Sequence, residues 1–283
     1  MESTLIQQHW QAEVAPVANF TVLRALPHQR THAVGPFVFL DHFGPAQASP
    51  ETLPAHPHAG IEVMTLLLEG ANEHRDSLGH TGVVESGGCQ WMRAGSGILH
   101  AETNLPERNP RIHGLQVWAR LPTAMQNDAP QYRAIHAQDV VRWQEAGAAH
   151  ALYAGNLGER RGPIPLATDG LLLLVDLPPY ASVVFRGEEA SFEYGVYGVG
   201  GSARLAGGVA LERGGFAMFG LGQTLVSLDT QGDGAQVLIM GGPPAERPLV
   251  FGGPFVLDSH QSLRQAHQRY ASGQMGTLDG VPF

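Results

Sequence analysis

The chain contains a single cysteine, Cys89, among 283 residues. An intramolecular disulfide is excluded, and a reducing compartment, the cytoplasm, is the expected setting. Basic residues are also scarce, with 17 Lys and Arg against 26 Asp and Glu and a formal net charge of -9. Duplex phosphates require a cationic surface, so direct nucleic-acid binding is not expected. Long apolar runs are missing: the richest windows, 63–68 and 171–177, fall far short of the ~20 residues a bilayer helix needs, and no membrane association is expected. Residues 1–14 carry Glu2, Gln7, Gln8 and His9 where a secretory signal would place a basic stretch and an apolar run. Between His150 and His260 there is no histidine, which argues against an imidazole-based metal site in that stretch.

What is present points to β structure. Apolar residues make up 43% of the chain, enough for a substantial core, and 36 Gly and 20 Pro are spread along it. Many short strands joined by tight turns follow from that mixture. Strand patterns fall at 62–68, 71–75, 81–85, 90–93 and 113–121, with Asp76-Ser77-Leu78-Gly79 as a hairpin connection. A second set falls at 171–177, 182–185, 203–205, 216–219, 224–228 and 236–240. Between the sets, 121–138 holds Pro122, Asn127, Asp128 and Pro130 without sustained alternation, so a connection is expected there. Two β modules result, 1–134 and 135–283. Near the end, Asp258 or Ser259 can cap a short helix with Leu263, Ala266 and Tyr270 on one face.

Two short segments carry metal-binding chemistry. His56-Pro57-His58 places two imidazoles at i and i+2, which point to the same side of an extended chain. His100-Ala101-Glu102 repeats the arrangement with a third imidazole and a carboxylate. Taken singly, each histidine reads as an ordinary surface or hydrogen-bonded residue; taken as two pairs, the four groups can close on one ion. Imidazole and carboxylate donors suit Fe, Mn, Co, Ni, Cu or Zn. Cys89 has no basic neighbour in sequence and reads as an inert buried thiol. His74, in Glu73-His74-Arg75-Asp76, reads as a polar residue on a strand end.

The run HPHAGIEVMTLLLEGANEHRDSLG from His56, followed by GGCQWMRAGSGILHAE from Gly87, resembles the signature of the pirin family within the cupin superfamily. Further matches are FVFLDHFGP from Phe37, GLQVWARLP from Gly114 and GGPFVLDS from Gly252. The resemblance implies an all-β bicupin: two stacked jelly-roll-like β-barrels with a short C-terminal helix, and one metal site, in the N-terminal barrel. It implies His56, His58, His100 and Glu102 as ligands and iron as the preferred metal. Glu62 sits where many cupins place a carboxylate ligand and is expected behind the ligands, orienting an imidazole or a bound water. Ala59 stands where an arginine is frequent in the family. The implied activity is a quercetin 2,3-dioxygenase-type cleavage of a flavonol or related phenol by O2, with Glu102 as candidate base and Glu62 as a second. The alternative is a redox-responsive iron protein acting through a protein partner. A monomer is favoured by the same resemblance.

Overall fold

The computed structural model describes residues 5–50 and 52–278. Met1–Thr4, part of the stretch read for a signal, lie outside the described residues, as do the last five residues of the expected second module. Strands dominate, and the described residues contain one α-helix, His260–Ala271. No helix among them is long and apolar enough to cross a membrane.

The chain divides into two compact units that interleave in sequence. One comprises Met1–Pro16, Thr21–His42 and Val140–Ala245; the other comprises Val17–Phe20, Phe43–Asp139 and Glu246–Phe283. This differs from a single cut between residues 134 and 135. Among the described residues, those up to His42 belong mostly with the later module, and those from Glu246 on return to the earlier one.

In the unit that carries the histidine segments, one sheet runs in the order Thr52–His58, Ile98–Asn104, Ala71–Asp76, Thr81–Glu85. A second contains, in order, Gln131–Ile135, Cys89–Arg93, Ile61–Glu69 and Arg111–Arg120. All pairings recorded within these two sets are antiparallel. The sheets face one another, because Thr65 on the second hydrogen-bonds Glu102 on the first, and Gln90 on the second hydrogen-bonds Asn72 on the first. The expected barrel is therefore a pair of facing sheets and not one closed ring.

Ile61–Glu69 shows why the region reads as strand. Seven of its nine residues are buried, as for a strand covered on both faces. It turns into Ala71–Asp76 through Gly70, whose φ of 120° suits glycine alone; a Cβ there would press on the Arg111 carbonyl and the Ile112 side chain. The Asp76–Gly79 connection forms as expected, with Gly79 N–H donating to the Asp76 carbonyl at 3.0 Å. The stretch expected as a plain connection holds a 3-10 turn, Thr123–Met125, and a strand, Gln131–Ile135, that pairs with Cys89–Arg93.

The helix starts where expected. Ser259 is extended, and its Oγ accepts from the Ser262 N–H at 3.1 Å. Ala266 is fully buried and Leu263 packs beside it in one apolar cluster, whereas Tyr270 is exposed. The buried face is thus narrower than the spacing of three residues implied.

The other unit is built on one nine-stranded sheet among the described residues, with Ile6–Gln11 at one edge and Val141–Glu145 at the other. Its spine is Leu225–Gly242, whose two ends pair with different strands, Ser182–Arg186 and Leu171–Leu177. Leu173, Val175, Val196, Ala217, Val237 and Ile239 form the centre of its core.

Candidate metal centre

His56 and His58 end the strand Thr52–His58, and His100 lies on the neighbouring Ile98–Asn104, directly across from His56. The i, i+2 parity and this register bring the three rings together. Ring centroids are 4.4 Å apart for His56 and His100, 4.9 Å for His56 and His58, and 5.0 Å for His58 and His100. One ring nitrogen from each lies within 4.8 Å of the others. Trp118 meets His58 edge to face at 4.9 Å and forms part of the wall.

The hydrogen bonds decide which nitrogens face inward. His56 Nδ1 donates to the Pro54 carbonyl at 2.8 Å, and His58 Nδ1 donates to the Pro254 carbonyl at 2.9 Å. Both rings therefore keep a lone pair on Nε2. His56 Nε2 and His100 Nε2 approach to 3.0 Å, while buried His58 Nε2 has no hydrogen-bond partner. Metal–imidazole bonds of about 2.1 Å at a right angle place two nitrogens about 3 Å apart, so the spacing fits a shared cation.

Electrostatics favours the same state. Burial, with the charge of His56 adding to it and the Pro254 bond opposing, holds His58 down to about 3. Burial and the neighbouring rings keep His100 well below the usual imidazole value. Burial likewise lowers His56, against the pull of the Pro54 carbonyl and the Glu102 charge. Three neutral imidazoles with lone pairs available are what a transition metal requires. Together with the partnerless His58 nitrogen, the donor set fits such an ion.

Glu102 is buried two residues beyond His100, past an irregularity in the pairing with Thr52–His58. Its Oε1 accepts from Thr65 Oγ1 at 3.0 Å and its Oε2 from Gln116 Nε2 at 3.1 Å. Those two bonds fix the carboxylate but leave each oxygen a further lone pair. It is not among the groups that meet within 4.8 Å. Glu62 is fully buried, and its Oε1 accepts from Trp91 Nε1 at 3.2 Å and faces Arg93 Nε at 3.5 Å.

His74 lies closer to the centre than a strand-end residue should. It is buried, its ring centroid is 5.3 Å from that of His100, and Tyr132 stacks on its other side. Its Nε2 donates to buried Asp76 at 3.2 Å, and the partly exposed His80 donates to the same oxygen at 2.9 Å. Thr65, Gln116, Trp118 and Pro254 lie within the runs that resemble the family signature, but nothing in those runs marked them as site residues; Tyr132 lay in the stretch expected as a connection. Cys89 is buried, its thiol pushed up by that burial and held on the Gln90 carbonyl, as its sequence context suggested.

The comparisons with known proteins agree with this architecture. The family described as Pirin matches residues 19–119, and the Pirin C-terminal cupin domain matches residues 173–276. A Pseudomonas aeruginosa protein named "Putative quercetin 2,3-dioxygenase" is 33% identical over 267 residues, covering 92% of this chain and 82% of its own. Among solved structures, a quercetin 2,3-dioxygenase from Acinetobacter baumannii superposes with a TM-score of 0.89 at 25% identity, covering 96% of this chain and 98% of that one. The bacterial pirin YhhW from Escherichia coli, in complex with nickel(II), gives 0.64 at 20% identity, covering 84% and 100%. The fold is all-β with two cupin domains, and the chain belongs to the pirin family.

Proposed function

We propose that this chain holds one transition-metal ion, iron by preference, through His56, His58, His100 and Glu102. We further propose that it carries out quercetin 2,3-dioxygenase-type ring cleavage of a flavonol or related phenol by O2. The observation that carries the reading is the convergence of three neutral imidazoles, His58 and His100 buried and His56 half-buried, two of them fixed by backbone carbonyls so that Nε2 faces inward. The relative named for this activity, matched over nearly the whole chain, supports the choice of reaction.

A bound ion supplies Lewis acidity toward a phenolic oxygen and electron transfer toward O2. The protein's own part is positioning and proton handling. Glu102 is the candidate base for the substrate hydroxyl, and its bonds to Thr65 and Gln116 hold it in one orientation. Glu62, tied to Trp91 and Arg93, lies on the face of its strand opposite Thr65 and so turns away from the imidazoles, which leaves the base role to Glu102. His56 is the least buried of the three imidazoles. A cytoplasmic location and a monomeric state complete the reading.

The test is direct. Protein loaded in turn with Fe, Mn, Co, Ni or Cu is assayed for quercetin loss and O2 uptake, beside a His56→Ala/His58→Ala variant. Turnover with at least one metal, lost in the variant together with metal content, is expected. Full metal content without turnover for any of them moves the assignment to the alternative, a redox-responsive protein acting through a protein partner. Equal metal content in the variant removes the ligand assignment itself.

A further inference from the structure

The returning end of the chain reaches the ligands themselves. His58 receives its backbone partner from Pro254, 196 residues away in sequence. Around that contact, Val250–Gly252 pairs with Phe255–Leu257, and the latter lies against the chain just after His58 through an Ala59–Phe255 bridge. Gly60, with φ of 77°, permits this approach, because a Cβ there would collide with the Val256 carbonyl.

The helix that follows seals the arrangement. Phe255, Leu257, Ala266 and Met275 share one buried cluster with Ala59 and Leu99, the residues immediately next to His58 and His100. Two polar ties hold its outer end. Arg269 Nε donates to the Ser96 carbonyl at 2.9 Å, and Ser77 Oγ donates to the Met275 carbonyl at 2.6 Å. Ser77 Oγ also accepts from the Leu99 N–H at 3.1 Å, so one hydroxyl links the tail to the strand bearing His100.

We infer that residues 250–275 act as a clasp that positions His58 and His100, so that docking of this tail and occupancy of the metal centre reinforce each other. The inference rests on the three-imidazole metal centre proposed above and names the element that regulates it. His56 takes its carbonyl from its own strand, two residues back, and is independent of the tail. His58 is not. Partners of this kind fix ring orientation and basicity, and their loss typically weakens metal binding about 10–100-fold. Linkage is reciprocal: if the docked tail tightens metal binding, bound metal must tighten tail docking by the same factor.

The experiment uses the full chain and nickel(II) as a redox-stable probe. Affinity is measured by competition with a chromophoric chelator for the wild type, for Arg269→Ala/Ser77→Ala and for Gly253→Val, which strains the turn before Pro254 at its φ of 61°. Hydrogen exchange of the unmodified protein, with and without nickel(II), supplies a readout that does not depend on how the variants fold. We expect about tenfold weaker nickel binding in both variants at unchanged stoichiometry, and slower exchange of 250–275 when nickel is bound. Wild-type uptake with variant affinities within about twofold and no added protection of 250–275 overturns the clasp alone. Absence of nickel uptake by the wild type overturns the metal centre and the clasp together.

Discussion

Tyr132 lies flat on His74, with ring centroids 4.0 Å apart and planes within 5° of parallel. The phenol also donates to Gln90 Oε1 at 2.9 Å, and Gln90 in turn donates to Asn72 at 2.7 Å. The stack and the hydrogen bond separate by mutation. Tyr132→Phe keeps the ring and loses one bond, worth about 1 kcal/mol. Tyr132→Ala removes the platform and opens a void, worth about 3 kcal/mol. Urea unfolding of the two variants should rank them in that order; equal losses would mean the stack contributes nothing beyond the hydroxyl.

Thr65 tests the hold on Glu102. Thr65→Val keeps the shape and removes the donor to a buried carboxylate, at a cost of about 1–3 kcal/mol in stability. If Glu102 is a ligand, metal retention against a chelator falls as well, by about tenfold, and Thr65→Ser restores both. Retention that stays at the wild-type level in Thr65→Val would show that the carboxylate's orientation is set elsewhere.

Asp76 gives the protein an acid limb. Burial pushes its carboxyl up, but hydrogen bonds from His74, from His80 and from the His80 backbone N–H outweigh it and hold the carboxyl below the usual carboxylate range. A folded value below the unfolded one contributes stability that is complete above about pH 3.9 and is lost as pH falls through the lowered folded value. Asp76→Asn should therefore be less stable by about 1–3 kcal/mol near pH 7, with the gap to wild type closing below about pH 4. Urea midpoints measured across that range check it; a constant gap would mean the carboxylate's charge is irrelevant.

Cys89 should ignore thiol reagents in the folded protein. Its sulfur is fully buried and burial raises its thiol, so little thiolate exists at neutral pH. Ellman's reagent is expected to titrate one thiol in denaturant and none within an hour under native conditions. Rapid native reaction would place the strand Cys89–Arg93 at the surface.

The site was legible in sequence to the extent that its chemistry is local. His56, His58 and His100 announce themselves by residue type and two-residue spacing, and strand parity is enough to turn them the same way. Pro254 could not be found by such reasoning, since it contributes only a carbonyl, which every residue has. Thr65 and Gln116 were equally silent, because what aims them at Glu102 is the meeting of two sheets. His74 was undervalued for the same reason: register places it opposite Glu102, on the strand next to that of His100.

The fold was read best where strands are short and bounded by turns, as at Leu171–Leu177, which spans the residues expected. Glu193–Leu205 was seen only at its end, because Gly195, Gly198, Gly200 and Gly201 break the alternation. Those glycines have structural reasons. A Cβ at Gly198 would collide with the Glu212 carbonyl, and the strand bulges between Gly198 and Gly200. Gln131–Ile135 was missed because Pro130 precedes it and only Ile135 is fully buried, leaving little hydrophobic pattern to read.

The distance along the chain between His58 and Pro254 sets an order of events during synthesis. The first imidazoles leave the ribosome long before the carbonyl that orients one of them exists. A nascent chain can fold its early strands, but His58 lacks that restraint on its ring until residue 254 has been made and has folded back. The ring that Pro254 orients is therefore finished later than that of His56, whose carbonyl partner Pro54 is made two residues before it.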